Sequence, residues 1–245
     1  MSRPSLVCVP FAGAGASYFR PWAEHVEPAF DLVPLPLPGR EREIGAEPFR
    51  DASVAADFLR DAVIERVGTG EIVLFGHSLG AVLAYELAHR LADVPGIDLR
   101  RLVVSGSPGP WSTRRQRATG LADAEFLDQV REFAGYDHPA LRFPEMRELI
   151  LPALRADVEM HENYRPSRTE PLPVPITSLR GRDDELVDTE HAGQWSKATT
   201  GDFDLVELPG GHMYLTDSVG TVAELITAAL SEADGNSWTI GTSAT

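Results

Sequence analysis

The stretch Glu71-Ile-Val-Leu-Phe-Gly-His-Ser-Leu-Gly-Ala-Val-Leu-Ala-Tyr85 constrains the fold more than any other part of the chain. It opens as an apolar, β-branched run and breaks at Gly76-His77-Ser78-Leu79-Gly80. It then resumes with Leu83, Leu87 and Leu91 at helical spacing. A buried strand passing directly into a helix is the setting that a G-x-S-x-G turn requires. A Cβ at position 76 or 80 would collide with the neighbouring strand or helix, and the turn holds Ser78 in a strained backbone conformation. The expectation is a nucleophilic serine raised above a sheet at a helix N-terminus. There the helix dipole and the Leu79 N–H favour developing negative charge. The competing reading is a structural Gly-Ser-Gly turn.

Size and charge narrow the function classes. A chain of 245 residues, 43% hydrophobic, buries a substantial core and is expected to form one α/β domain. A formal charge of −15 argues against nucleic acid or an anionic membrane surface as partner. Cys8 is the sole cysteine, which excludes an intrachain disulfide and a cysteine-built zinc site. Its place in the apolar run Leu6–Val9 marks it as a small core residue. Met1-Ser-Arg-Pro-Ser lacks the pattern of a signal peptide, and the most apolar helix, Ala81–Ala92, is interrupted by Glu86, His89 and Arg90. The expectation is a soluble, cytoplasmic protein.

Taken in order, Leu6–Val9 reads as a buried strand ending in Pro10-Phe-Ala-Gly-Ala-Gly-Ala-Ser17. This loop lacks the residues of a phosphate or dinucleotide site, and reads as the second half of an oxyanion hole. Ala12 is the preferred N–H donor, with Phe11 the alternative. A helix is expected over Tyr18–Val26 and a strand over Phe30–Leu35. Pro34–Gly39 is a loop that Arg40-Glu-Arg-Glu43 continues into solvent. Asp51–Val67 reads as an amphipathic helix with Val54, Phe58 and Ala62 toward the core. Leu102–Ser105 is another strand. Residues 110–173 then break the strand-helix alternation. Two helices, Ala124–Phe133 and Pro144–Tyr164, carry apolar stripes and predict a lid over the catalytic end of the sheet. Strands at Val174–Arg180 and Phe203–Leu208 and a helix at Ser218–Leu230 complete a single domain over residues 1–230. The polar tail Ser231–Thr245 is expected to be disordered. The pattern predicts an α/β fold with a mostly parallel central sheet flanked by helices.

In the α/β-hydrolase fold the catalytic residues follow the chain order Ser, Asp or Glu, His. Of the histidines after Ser78, His89 falls on the elbow helix, His138 and His161 in the cap, and His191 at a helix start. His212 alone follows a strand directly, in Pro209-Gly-Gly-His, and is the expected general base. For the acid, the loop after the 174–180 strand offers Asp183, Asp184, Glu185 and Asp188. Asp184, fourth in Gly-x-x-Asp, is directed toward the His212 loop, with Asp183 its rival. The mechanism requires no cofactor and no metal.

With these residues placed, the chain resembles the type II thioesterases of polyketide and nonribosomal peptide assembly lines. The resemblance spans Leu6 to Leu230. It is carried by Val9-Pro-Phe-Ala-Gly-Ala-Gly, Leu37-Pro-Gly-Arg, Gly76-His-Ser-Leu-Gly-Ala, Leu151-Pro-Ala-Leu-Arg-Ala-Asp, Gly181-Arg-Asp-Asp and Leu208-Pro-Gly-Gly-His. Leu79 stands where that family often has Met, and Ala14 where a second Gly is usual. The resemblance implies hydrolysis of acyl thioesters from the phosphopantetheine arm of acyl or peptidyl carrier proteins; separately, a monomer is expected. Arg114-Arg-Gln-Arg117 is a candidate docking patch for an acidic carrier, against the reading of an ordinary solvated cluster. Other readings are a carboxylesterase or lipase, a product-releasing cyclase, and a carrier-binding scaffold with a vestigial site.

Overall fold

A computed structural model describes residues 3–112, 117–134, 141 and 143–233. Six strands form one sheet: β1 (Ser5–Val9), β2 (Asp31–Pro34), β3 (Gly70–His77), β4 (Ile97–Ser105), β5 (Ile176–Gly181) and β6 (Phe203–Leu208). Their order is β2-β1-β3-β4-β5-β6, and every pairing is parallel. Parallel strands need crossover connections, so both sheet faces are covered by helices, and the central runs Leu6–Val9 and Ile72–Phe75 are apolar and buried.

The side-chain alternation of each strand divides the core in two. Val7, Val9, Ile72 and Leu74 face α2 (Ala52–Val67) and α3 (Leu79–Leu91). Leu6, Cys8, Val73 and Phe75 face a layer built from Phe19, Trp22 and α7 (Val219–Ala233). Cys8 is fully buried, as expected, and burial pushes its thiol up from its ordinary range. Ahead of β2, a 3-10 turn over Ala16–Trp22 and the short α1 (Ala23–Val26) replace the single helix expected there.

Two packing expectations are corrected. On α2, Val54 and Phe58 are exposed, whereas Ala55, Ala56, Leu59, Ala62 and Val63 are buried. The small alanines let α2 lie close to α3, which turns the inward face by one residue. The Asp51 side chain caps this helix by accepting from the Ser53 and Val54 N–H groups. Arg40 was expected in solvent, but its guanidinium is buried against Asp157. α7 extends to Ala233, three residues into the segment expected to be disordered; the remainder of that segment and His138 lie outside the described residues.

Between β4 and β5 the chain leaves the sheet for α4 (Asp123–Ala134) and α5 (Pro144–Asn163), the helices expected for the lid. Phe126, Leu127, Leu141 and Leu154 form a small core of their own, against which Ala12 packs. Strand order reverses between β1 and β3, since β1 leads outward to β2 while β2 leads back to β3. A crevice opens at the carboxyl ends of strands at such a reversal, and α4 and α5 roof it. After β5 follows α6 (Thr189–Gly193), which carries His191.

Candidate active site

β3 runs straight into α3 through Ser78, whose backbone sits at φ 53° and ψ −116°. A non-glycine residue at positive φ with this ψ is strained and needs surroundings that over-determine it. Those surroundings are the two glycines. A Cβ on Gly76 would lie 2.0 Å from the Gly80 carbonyl oxygen, and one on Gly80 would lie 2.4 Å from the Val9 carbonyl oxygen. The Ser78 N–H donates to the Ser105 carbonyl at 2.7 Å, fastening the turn to β4.

The loops after β5 and β6 meet beside this elbow. A Cβ on Gly181 would lie 2.3 Å from the carbonyl oxygens of both Gly210 and Gly211, so the two loops touch only because position 181 is glycine. Across that contact His212 Nδ1 hydrogen-bonds Asp184 Oδ2 at 2.9 Å. Asp184 Oδ1 accepts from the Leu186 and Val187 N–H groups at 2.9 and 3.2 Å. Both carboxylate oxygens are therefore engaged, and the side chain is 0% exposed. The rival Asp183 points to solvent. With Nδ1 held by Asp184, Nε2 is the imidazole nitrogen left to face the cavity.

Ser78 and His212 line one cavity of about 720 Å³, together with Phe11, Ala12 and side chains of α4 and α5 such as Val130, Met146 and Ile150. On its floor the Phe11–Ala14 loop is a tight turn. The Ala14 N–H donates to the Phe11 carbonyl at 3.0 Å, and the Gly13 N–H to Asp157 Oδ2 at 2.8 Å. Among the described residues, the Phe11 and Ala12 N–H groups donate to no other group. Leu79 opens α3, where first-turn N–H groups have no intrahelical partner.

Sequence reasoning missed the support beneath His212. His77 Nδ1 hydrogen-bonds Ser105 Oγ at 2.8 Å, and Ser105 Oγ bonds the Tyr214 hydroxyl at 2.6 Å. All three groups are buried, and the His77 and His212 rings lie 4.9 Å apart. Burial, and then the nearby charge of His212, hold the His77 imidazole well below its ordinary range. Burial likewise raises the Tyr214 phenol. His77 therefore stays neutral beside His212. The Ser-Tyr half of this chain was open to no periodicity argument, because its members lie 109 positions apart.

Of the other histidines, His89 is buried on α3 against Tyr85, and burial lowers its pKa. His191 pairs with Asp188 at 2.7 Å, the cap of its own short helix. His161 is buried on α5 and lines the cavity, whereas the Asp184 carboxylate is bonded to His212. Of the arginine cluster, residues 114–116 lie outside the described residues. Arg117 pairs with Glu162 and Asn163 of α5. Among the described residues no group of His, Cys, Asp and Glu side chains is arranged to hold a metal ion, and no helix is long and apolar enough to cross a membrane.

A parallel sheet with a strained serine turn after its third strand, and aspartate and histidine loops meeting beside it beneath helices α4 and α5, has the architecture of the α/β-hydrolase fold. The model of the thioesterase domain family matches residues 4–230. The chain belongs to that family, hydrolases acting on thioesters. It is 34% identical over 225 residues to a probable cadicidin biosynthesis thioesterase of Streptomyces griseus, an alignment covering 92% of this chain and 62% of that protein. The type II thioesterase BorB from the borrelidin biosynthetic cluster superposes with a TM-score of 0.81 at 33% identity, covering 94% of this chain and 92% of that one. YbtT, a type II thioesterase from the yersiniabactin NRPS/PKS pathway, gives 0.83 at 28% identity, covering 95% and 94%.

Proposed function

We propose that this chain is a type II thioesterase that hydrolyses acyl groups from the phosphopantetheine arm of carrier proteins in polyketide or nonribosomal peptide biosynthesis. The observation that carries the reading is the Asp184–His212 hydrogen bond beside a strained Ser78 in one capped cavity. Kinship to biosynthetic type II thioesterases supplies the substrate class.

Ser78 Oγ attacks the thioester carbonyl while His212 Nε2 takes its proton. Asp184 holds the tautomer with hydrogen on Nδ1 and stabilises the imidazolium that forms. The oxyanion is received by the N–H groups of Leu79 and Ala12. Collapse of the tetrahedral intermediate breaks the C–S bond, and His212 returns the proton to the leaving thiolate. A thiol of pKa about 8.5 leaves readily, so this acid step is undemanding. Water, deprotonated by His212, then attacks the acyl-serine and releases the acid. A neutral His77 adds no charge to oppose the imidazolium 4.9 Å away.

The test is intact-mass spectrometry of an acyl-carrier protein incubated with wild type and with Ser78→Ala, beside the same acyl group as a simple oxygen ester. Deacylation of the carrier by wild type alone is expected. Rapid ester cleavage with an untouched carrier would contradict it, in favour of a small-molecule esterase.

A further inference from the structure

Two of the motifs that carry the family resemblance, Leu37-Pro-Gly-Arg40 and Leu151-Pro-Ala-Leu-Arg-Ala-Asp157, take no part in the chemistry above. In the fold they meet. Arg40 Nη1 and Nη2 donate to Asp157 Oδ2 and Oδ1, each at 2.8 Å, a bidentate pair whose side chains are 9% and 1% exposed. Arg40 comes from the loop after β2, and Asp157 from the middle of the cap helix α5. The pair does more than close on itself. Asp157 Oδ2 also accepts the Gly13 N–H at 2.8 Å, and Arg40 Nη1 donates to the Ala14 carbonyl at 2.9 Å. Arg40 Nε is spent on the Pro38 carbonyl at 3.2 Å.

These contacts determine the attitude of the loop that supplies an oxyanion donor. The Gly13 N–H shares its peptide plane with the Ala12 carbonyl, so the bond to Asp157 fixes ψ of Ala12. The Ala12 N–H shares a plane with the Phe11 carbonyl, which accepts the Ala14 N–H. Ala14 in turn is anchored through its carbonyl by Arg40. The peptide planes on both sides of Ala12 are thus tied, directly or one bond removed, to the ion pair. Gly13 sits at φ +76°, a left-handed geometry that the chain adopts to present its N–H to Asp157. A buried ion pair is a poor device for stability alone, since apolar groups of the same volume commonly hold a fold as well. A planar guanidinium spanning a carboxylate and a carbonyl is a good device for orientation.

We infer that Arg40 and Asp157 are positioning residues that aim the Ala12 N–H at the reacting carbonyl and make that aim depend on the seating of the cap helix α5. The inference rests on the proposed acyl-serine mechanism. Oxyanion stabilisation is therefore available only while the cap is in place over the cavity.

The experiment compares wild type, Arg40→Met/Asp157→Leu and Arg40→Lys, each verified as folded by a cooperative thermal transition. The double variant replaces the pair by apolar volume, which keeps the fold while leaving the Gly13 N–H without an acceptor. Arg40→Lys keeps the charge but has no planar fork to span Asp157 and the Ala14 carbonyl. Three quantities are read: kcat and KM on an acyl-pantetheine thioester, the inhibition constant of the matching trifluoromethyl ketone, and the Kd of the matching unreactive thioether. The ketone forms a bond from its carbonyl carbon to Ser78 Oγ, its π electrons pass to oxygen, and the serine proton goes to His212. It therefore reports oxyanion stabilisation, and the thioether reports binding alone. The double variant is expected to lose about a hundredfold in kcat and in ketone affinity together, the scale of one misplaced oxyanion donor. KM and thioether Kd stay within about threefold, the pattern of an interaction made only in the transition state. Arg40→Lys loses about tenfold in the same two readouts. A role in folding alone would lower the thermal transition without moving the ketone constant. Unchanged kcat and ketone affinity in either folded variant, or a loss confined to KM, would overturn the inference. A wild type that hydrolyses the thioester but ignores the ketone would overturn the acyl-serine mechanism beneath it.

Discussion

Alanine at Gly76 is the sharpest test of how Ser78, the proposed nucleophile, is held. The added Cβ would lie 2.0 Å from the Gly80 carbonyl oxygen, 2.3 Å from its carbon and 2.7 Å from the Ala81 nitrogen. All three atoms are backbone in the first turn of α3, so no side chain can rotate aside. Ordinary contact begins at 3.4 Å, so the start of the helix must retreat by about 1.4 Å relative to β3. Overpacking of this kind costs about 1–3 kcal/mol. Ser78 and the Leu79 N–H ride on that same turn, and a displacement near 1 Å in catalytic geometry costs about a hundredfold in rate. Gly76→Ala is therefore expected to lower the urea midpoint and to reduce kcat on an acyl-pantetheine thioester by at least about a hundredfold. Gly45→Ala is the control, because nothing lies within 4 Å of its added Cβ; it should change stability by less than about 0.5 kcal/mol and leave turnover alone. Wild-type stability and turnover in Gly76→Ala would refute the steric account of the elbow.

Asp184→Asn should leave the fold intact but present the wrong imidazole tautomer to Ser78, with a loss in kcat of about 10⁴-fold; full activity in this variant would point to another acid. His77, neutral and fully buried, has a folded-state pKa below that of the unfolded chain. The unfolded state therefore binds more protons as pH falls, and stability present above about pH 6.5 is lost below it, by up to about 1.4 kcal/mol per pH unit. Denaturation midpoints measured between about pH 7 and about pH 5 should fall less steeply in His77→Gln than in wild type; equal slopes would contradict this. Cys8, 0% exposed and with its thiol pushed up by burial, should resist iodoacetamide in the native protein and react once urea unfolds it. Labelling of native protein would place the β1 core wrongly.

The end of the sheet that brings Ser78, Asp184 and His212 together was largely legible in the sequence because most of its signals are local. Gly76 must be glycine for contacts made within five residues, although Gly80 is required by the distant Val9 carbonyl, and Pro209-Gly-Gly-His carries its histidine directly off a strand. Asp184 is singled out over Asp183 by its place in a four-residue turn; it is the one buried against His212, while Asp183 is exposed. What stayed hidden depends on contacts distant in the chain. Arg40, in a run of four charged residues, carries the outward sign of a solvated loop; only the fold brings it to Asp157, 117 positions away. The His77–Ser105–Tyr214 chain joins three elements that no periodicity links. On α2 the error had a different origin: Val54 and Phe58 are the larger apolar residues, but the close approach of α3 selects the alanine face instead.

The measurement that bears most directly on the central claim is peptide mass spectrometry of the enzyme quenched while turning over an acyl-carrier protein in ¹⁸O-labelled water. The account predicts an acyl mass on the peptide containing Ser78, absent in Ser78→Ala, and one ¹⁸O atom in the released acid. Hydrolysis at the wild-type rate in Ser78→Ala, or full turnover through an enzyme that never carries the acyl group, would contradict it.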